Sequence, residues 1–313
     1  MAAIKYYFSR SSALFLLALL TGIIIPQGAA IGKALILPAF TVILTITLLR
    51  MPRGFFRHPA KLFFPALYGN ITNYFILSNF IILSSIFLIR TEGFWIGLVL
   101  IAAVPPAVSI IPLSKLFQAE QSTAVAGMAG AYVGGILLAP LIGIGFLKYI
   151  PLNYSGIILL VVELIILPLV FSRLAIDKEW DSIIEPYEGM INDWCFFIVF
   201  YALVAAGISE IIQHPRDAFF IALIAFASTF LIGYAIEKTG SFYDISRDKI
   251  TSLLLLGTLK NYGLAGGIAL AVFNKEAALP AIIFTVIMFI YELWLKYRIK
   301  KISGVTATEN VDL

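Results

Sequence analysis

The chain is 313 residues long, 61% hydrophobic and only 13% charged, with a mean hydropathy of +0.98 and a formal net charge of +4. Ordinary soluble domains are about 45–50% apolar and about 25% charged, so this composition excludes a soluble globular enzyme. At roughly 20 apolar residues per span, the length holds about ten membrane helices and leaves no room for an extramembrane domain of ordinary size.

The N-terminus carries Lys5 and Arg10 ahead of the apolar run Ala13 to Ile25. No small-residue cleavage pattern follows, so the run reads as a retained first helix and not as a signal peptide. Apolar stretches bounded by charges, Pro or Gly then place spans at 12–25, 32–50, 62–89, 94–118, 121–147, 155–176, 192–212, 217–236, 248–273 and 277–296. Runs this long exceed a barrel strand, and backbone amides in lipid must pair internally, so the spans are expected to be helices. Of the 22 Lys and Arg, sixteen fall on one side of this arrangement and five on the other, with Lys260 inside a span. The bias puts both termini in the cytoplasm, in a plasma (inner) membrane.

The longest polar connection, DKEWDSIIEPYEGMIND over 177–193, lies between the sixth and seventh spans, and the ten spans divide into two sets of five. It reads as a cytoplasmic linker, with residues 1–176 carrying helices 1–6 and residues 194–313 carrying helices 7–10 and a tail. Five spans per half make any repeat inverted in topology. A faint echo supports one: Pro105-Pro106 interrupts the fourth span ahead of Phe117-Gln118-Ala119-Glu120, and Lys260-Asn261-Tyr262-Gly263 interrupts the ninth ahead of Phe273-Asn274-Lys275-Glu276. Broken helices in corresponding positions of two halves point to a transporter's binding site.

Pro105, Pro106 and Pro112 each remove a helix hydrogen bond, so the fourth span cannot run straight through. Lys260 and Asn261 fall near mid-bilayer, where an ammonium is costly and must face a wet cavity or a partner. Glu163 is the other ionisable side chain deep in a span and the natural charge partner for Lys260. In the third span Asn70, Asn73 and Tyr74 share one helical stripe, able to line a cavity or to join helices. Gly127, Gly130, Gly134 and Gly135 in the fifth span read as close helix packing. One cysteine, Cys195, excludes a disulfide framework, and only two histidines, His58 and His214, exclude imidazole cages, so neither metal nor cofactor is expected. No Ser-His, paired-Asp or HExxH arrangement lies in the spans, which argues against an enzyme. No basic patch marks a nucleic-acid partner. The expected partners are membrane lipid and a small-molecule substrate.

Several blocks resemble the bile acid:sodium symporter family and its superfamily of bile, arsenite and riboflavin-type transporters. They are GIIIPQ at 22–27, ITNYFILSN at 71–79, FQAEQSTAVAGM at 117–128, LLAPL at 137–141, KNYGLAGGIALAVFN at 260–274 and ALPAIIF at 278–284. The resemblance implies an all-α fold of ten transmembrane helices in two inverted five-helix repeats. Helices 1, 2, 6 and 7 would form a panel domain, and helices 3–5 and 8–10 a core domain in which broken helices 4 and 9 cross. Organic anions bind between core and panel in that family, and two sodium ions sit at the crossover. Here the positions corresponding to sodium ligands hold Ile111, Pro112, Tyr132, Val133, Gly135, Ile136 and Leu256, while a glutamine position holds Lys260 beside a retained Asn261. Asn73 stands where the family has another glutamine. A hard cation wants several oxygens, so neither sodium site is expected to work, and the Lys260 ammonium could replace the second ion. The arsenite permeases keep a cysteine in the fourth span that is missing here.

The sequence therefore leads to a secondary transporter of a small organic anion by alternating access, not using the family's sodium sites, with protons as a candidate coupling ion. The candidate substrate-binding residues are Asn73, Pro106, Ser109, Lys260, Asn261, Tyr262 and Gly263. The alternatives are a sodium-coupled organic anion symporter of the same family and a non-transporting sensor or scaffold. Convergence of Lys260, Asn261, Asn73 and Ser109 on an open cavity, or their packing shut, separates carrier from scaffold.

Overall fold

The computed structural model describes residues 10–49, 59–147 and 162–303. The described residues are helical throughout except for short connections, and no strand occurs among them. Six helical stretches are long and apolar enough to cross a membrane, from Pro26–Leu49 to Lys275–Arg298. The protein is an all-α membrane protein. Its outer surface is apolar, as lipid requires: Ile136, Leu137, Leu141 and Ile144 all face outward from one helix. Hydroxyls in such helices bond back to the preceding turn, as Thr41 does to the Leu37 carbonyl and Thr47 to that of Ile43.

In chain order, α1 (Arg10–Ile24) leads through a short 3-10 turn to α2 (Ala29–Leu49). The third expected span forms α3 (Pro59–Asn70), a π-helical segment (Ile71–Ser78) and α4 (Asn79–Leu88). The fourth is divided into α5 (Glu92–Ala103) and α6 (Ile110–Leu116), and α7 (Gln121–Leu147) follows. A π segment (Val162–Ile166) opens α8 (Leu167–Asp177); the start of the expected sixth span, 155–161, lies outside the described residues. Then come α9 (Asp181–Ile184), α10 (Glu188–Gln213), α11 (Pro215–Phe226), a π segment (Ala227–Leu231) and α12 (Ile232–Phe242). The ninth expected span is divided into α13 (Arg247–Thr258) and α14 (Tyr262–Val272), and α15 (Lys275–Ser303) ends the fold.

The polar 177–193 connection is largely helical: α9, a 3-10 turn over Glu185–Tyr187 and the first turns of α10 occupy most of it. Trp180, Ile183 and Met190 of this segment are exposed, and Glu188 is buried. The third and eighth spans carry π segments that no proline announces. Such bulges re-aim a short stretch of side chains within an otherwise continuous helix.

Close packing positions the elements. A Cβ on Gly32 of α2 would lie 2.8 Å from the Ala202 Cβ of α10. A Cβ on Gly69 of α3 would lie 2.0 Å from the Gly127 carbonyl of α7, and one on Gly130 2.3 Å from the Ala66 Cβ. The glycines of the fifth span are therefore packing residues. Gly127, Gly130, Gly134 and Gly135 each meet a neighbouring side chain or backbone where any Cβ would stand.

Candidate functional site

Both broken spans come apart for visible local reasons. Pro105 and Pro106 cannot donate amides, and a residue preceding proline is driven from the helical region, so α5 stops with Val104 extended at φ −71°, ψ 151°. In the other break Leu259 is extended at φ −110°, ψ 117°, and Asn261 caps α14 by accepting the Leu264 amide at 3.1 Å. The two breaks meet. Pro106 and Lys260 pair as an antiparallel bridge, with the Ala107 amide donating to the Leu259 carbonyl at 3.2 Å and the Asn261 amide to the Pro105 carbonyl at 3.0 Å. Each break thus satisfies backbone groups that the other leaves open.

From this bridge the Lys260 side chain turns into the protein and is fully buried. Its Nζ donates to Asn73 Oδ1 at 2.8 Å, to the Val104 carbonyl at 2.7 Å and to the Ala102 carbonyl at 3.1 Å. Three acceptors match the three N–H groups of an ammonium. Two of them are the last carbonyls of half-helix α5, the end whose partial negative charge favours a cation. The Tyr74 ring lies 4.8 Å away and adds a cation–π contact. Asn73, buried on the π segment, also donates its Nδ2 to the Leu256 carbonyl of α13 at 3.2 Å, so one side chain serves both broken helices. Ser78 closes the cage by donating to the Ala102 carbonyl at 2.6 Å and the Asn73 carbonyl at 3.0 Å.

Asn73, Pro106, Lys260 and Asn261 are thus brought together, and they are packed shut. Tyr262 is also buried and returns its hydroxyl across the break to the Thr258 carbonyl at 3.2 Å. Gly263 is half-buried beside Phe40, with ordinary contact distance for a Cβ. Ser109 is half-buried at the start of α6, and its hydroxyl finds no partner among the described residues. The first amide after Pro106, that of Ala107, points into the crossover, where it donates to the Leu259 carbonyl. On the other flank Tyr132 of α7 faces the Asn261 carboxamide, yet neither its hydroxyl nor Asn261 Nδ2 closes a hydrogen bond.

The pairing of Glu163 with Lys260 does not form. Every N–H of Lys260 goes to a neutral oxygen, and Glu163 lies on another face, where its carbonyl accepts the Thr41 hydroxyl at 2.8 Å. Its Oε2 is shut from solvent with no hydrogen-bond partner among the described residues. Glu163 instead lines an open cavity of about 450 Å³ with Ala30, Lys33, Leu37 and Pro38 of α2 and Ala271 of α14. Ligand cavities commonly span about 300–1,000 Å³. Lys33, at the start of the second expected span, is a cavity residue that sequence reasoning did not single out; its place one turn from Ala30 and Leu37 was the available signal.

No protein-family model matches the chain, and no curated protein matches it.

Proposed function

We propose that the protein is a secondary transporter for a small organic anion that works by alternating access with a built-in cation in place of a sodium ion. The observation that carries this reading is the crossover: two half-helix breaks paired backbone to backbone, with the Lys260 ammonium held by three oxygens at 2.7–3.1 Å. Such an oxygen cage is what a monovalent cation would otherwise need, and the tethered ammonium excludes one. Leu256, Ile111, Tyr132 and Val133, at positions the family resemblance gives to ion ligands, point the same way.

The wider arrangement follows from the same resemblance: ten helices in two inverted repeats, a core domain built on the crossover and a panel containing α1, α2, α8 and α10. The π segments in the third and eighth spans, like the breaks in the fourth and ninth, fall at corresponding places in the two halves. The substrate cleft is the cavity between α2, Glu163 and α14. Lys33 supplies the positive charge for an anion, Glu163 lines the same cavity, and a proton is the proposed coupling ion. Lys260 then acts on the substrate only through the rigidity of the core.

A second reading has one observation in its favour. The crossover residues are packed shut, which is the outcome the sequence reading assigns to a sensor or scaffold that keeps the fold without transport.

Uptake of labelled carboxylates and sulfonates by proteoliposomes under an imposed proton gradient tests the proposal. Accumulation of at least one such anion is expected, and Lys33→Gln is expected to weaken its apparent affinity about tenfold or more, the cost of one lost charge contact. A folded protein that accumulates none of them supports the scaffold instead.

A further inference from the structure

One end of the molecule carries a cluster that neither the crossover nor the cavity uses. Glu210 lies in the last turn of α10, His214 follows as its C-cap with its amide donating to the Glu210 carbonyl at 3.0 Å, and Glu276 opposes them from the first turn of α15. One ligand atom from each lies within 4.8 Å of the other two. The three side chains are half-buried, and none takes part in an ion pair among the described residues. Two carboxylates and an imidazole thus converge with no protein cation between them.

The surroundings hold this geometry. His214 is fixed between α10 and α11 by the Pro215 that follows it and by the edge-on ring of Phe94, 5.3 Å between centroids. Glu276 reaches the cluster because residue 93 is glycine: a Cβ there would lie 2.4 Å from Glu276 Oε2 and 2.6 Å from its Cβ. Two histidines in the sequence rule out a cage of imidazoles, not a mixed site with one imidazole and two carboxylates.

We infer that Glu210, His214 and Glu276 form a binding site for a divalent transition-metal ion of the zinc class, tying the end of α10 to the start of α15. One nitrogen and two carboxylate oxygens suit such an ion at bond lengths of about 2.0–2.2 Å, reached by small side-chain rotations, and leave a position open for water. Magnesium, which keeps its own waters and prefers oxygen, is a poor competitor.

The test uses the full chain purified in detergent, stripped with chelator and titrated with Zn²⁺ alone. One Zn²⁺ per chain is expected, with a raised melting midpoint. H214Q and E276Q are each expected to weaken binding at least about tenfold, while E92Q, a carboxylate at the same end but outside the cluster, leaves it unchanged. Absence of saturable binding by folded wild-type protein, or unaltered affinity in both H214Q and E276Q, overturns the site. A measurement without variants guards against misfolding: Zn²⁺ is expected to protect His214, but not His58, from diethyl pyrocarbonate, read by peptide mass spectrometry. Equal modification of His214 with and without Zn²⁺ overturns the site as well.

Discussion

Lys260 shows how a buried amine can be satisfied by neutral oxygens alone. An ammonium in the middle of a membrane protein is costly unless every donor is satisfied, and here Asn73, Ala102 and Val104 satisfy all three. Removing it strands the Val104 carbonyl and the Asn73 amide oxygen in a dry interior, while Ser78 still donates to the Ala102 carbonyl. Lys260→Met is therefore expected to destabilise the protein by roughly 3–5 kcal/mol, seen as a melting midpoint lower by roughly 5–15 °C in detergent. Lys260→Arg keeps the charge but brings a planar fork into a cage built for a compact group, and is expected to be no better tolerated. Lys260→Ala makes a sharper point, because it empties the cage without filling it. That variant alone is expected to gain sodium-dependent thermal stability, while wild-type protein melts identically in sodium and potassium.

At the scale of elements, proline and glycine place the joints. Pro105 and Pro106 end α5, and the glycines of α3 and α7 let those helices touch backbone to backbone. Gly69→Ala is expected to cost about 1–3 kcal/mol, since its new Cβ meets the Gly127 carbonyl and backbone cannot swing aside. Gly143→Ala, in the same helix as Gly127 but with open space around it, is expected to leave the melting midpoint unchanged or slightly raised. The breaks were legible because prolines and a KNYG interruption are local signals in otherwise apolar runs. The π segment over Ile71–Ser78 was not, because its polar residues fit an ordinary helical stripe equally well. The helical character of 181–193 was hidden by the same charges that made it look like a linker.

Across the whole molecule, the all-α membrane architecture follows from composition and run length, whereas the partners of each charged residue do not. Lys260 finds backbone carbonyls, which have no signature in sequence, so the nearest carboxylate by elimination, Glu163, looked like its partner. Glu163 lines a cavity with Lys33 on another face, and Glu210, His214 and Glu276 meet only because the end of α10 lies beside the start of α15. What unites these placements is a crossover that is packed shut, with the cavity beside α2 open next to it.

Transport without sodium is the central claim, and one measurement bears on it most directly: initial uptake of the transported anion by proteoliposomes under a fixed proton gradient, with external sodium replaced step by step by potassium. A flat rate across the series is expected, because the Lys260 ammonium already fills the cage formed by Asn73, Ala102 and Val104. A rate that rises steeply and saturably with sodium would contradict the account.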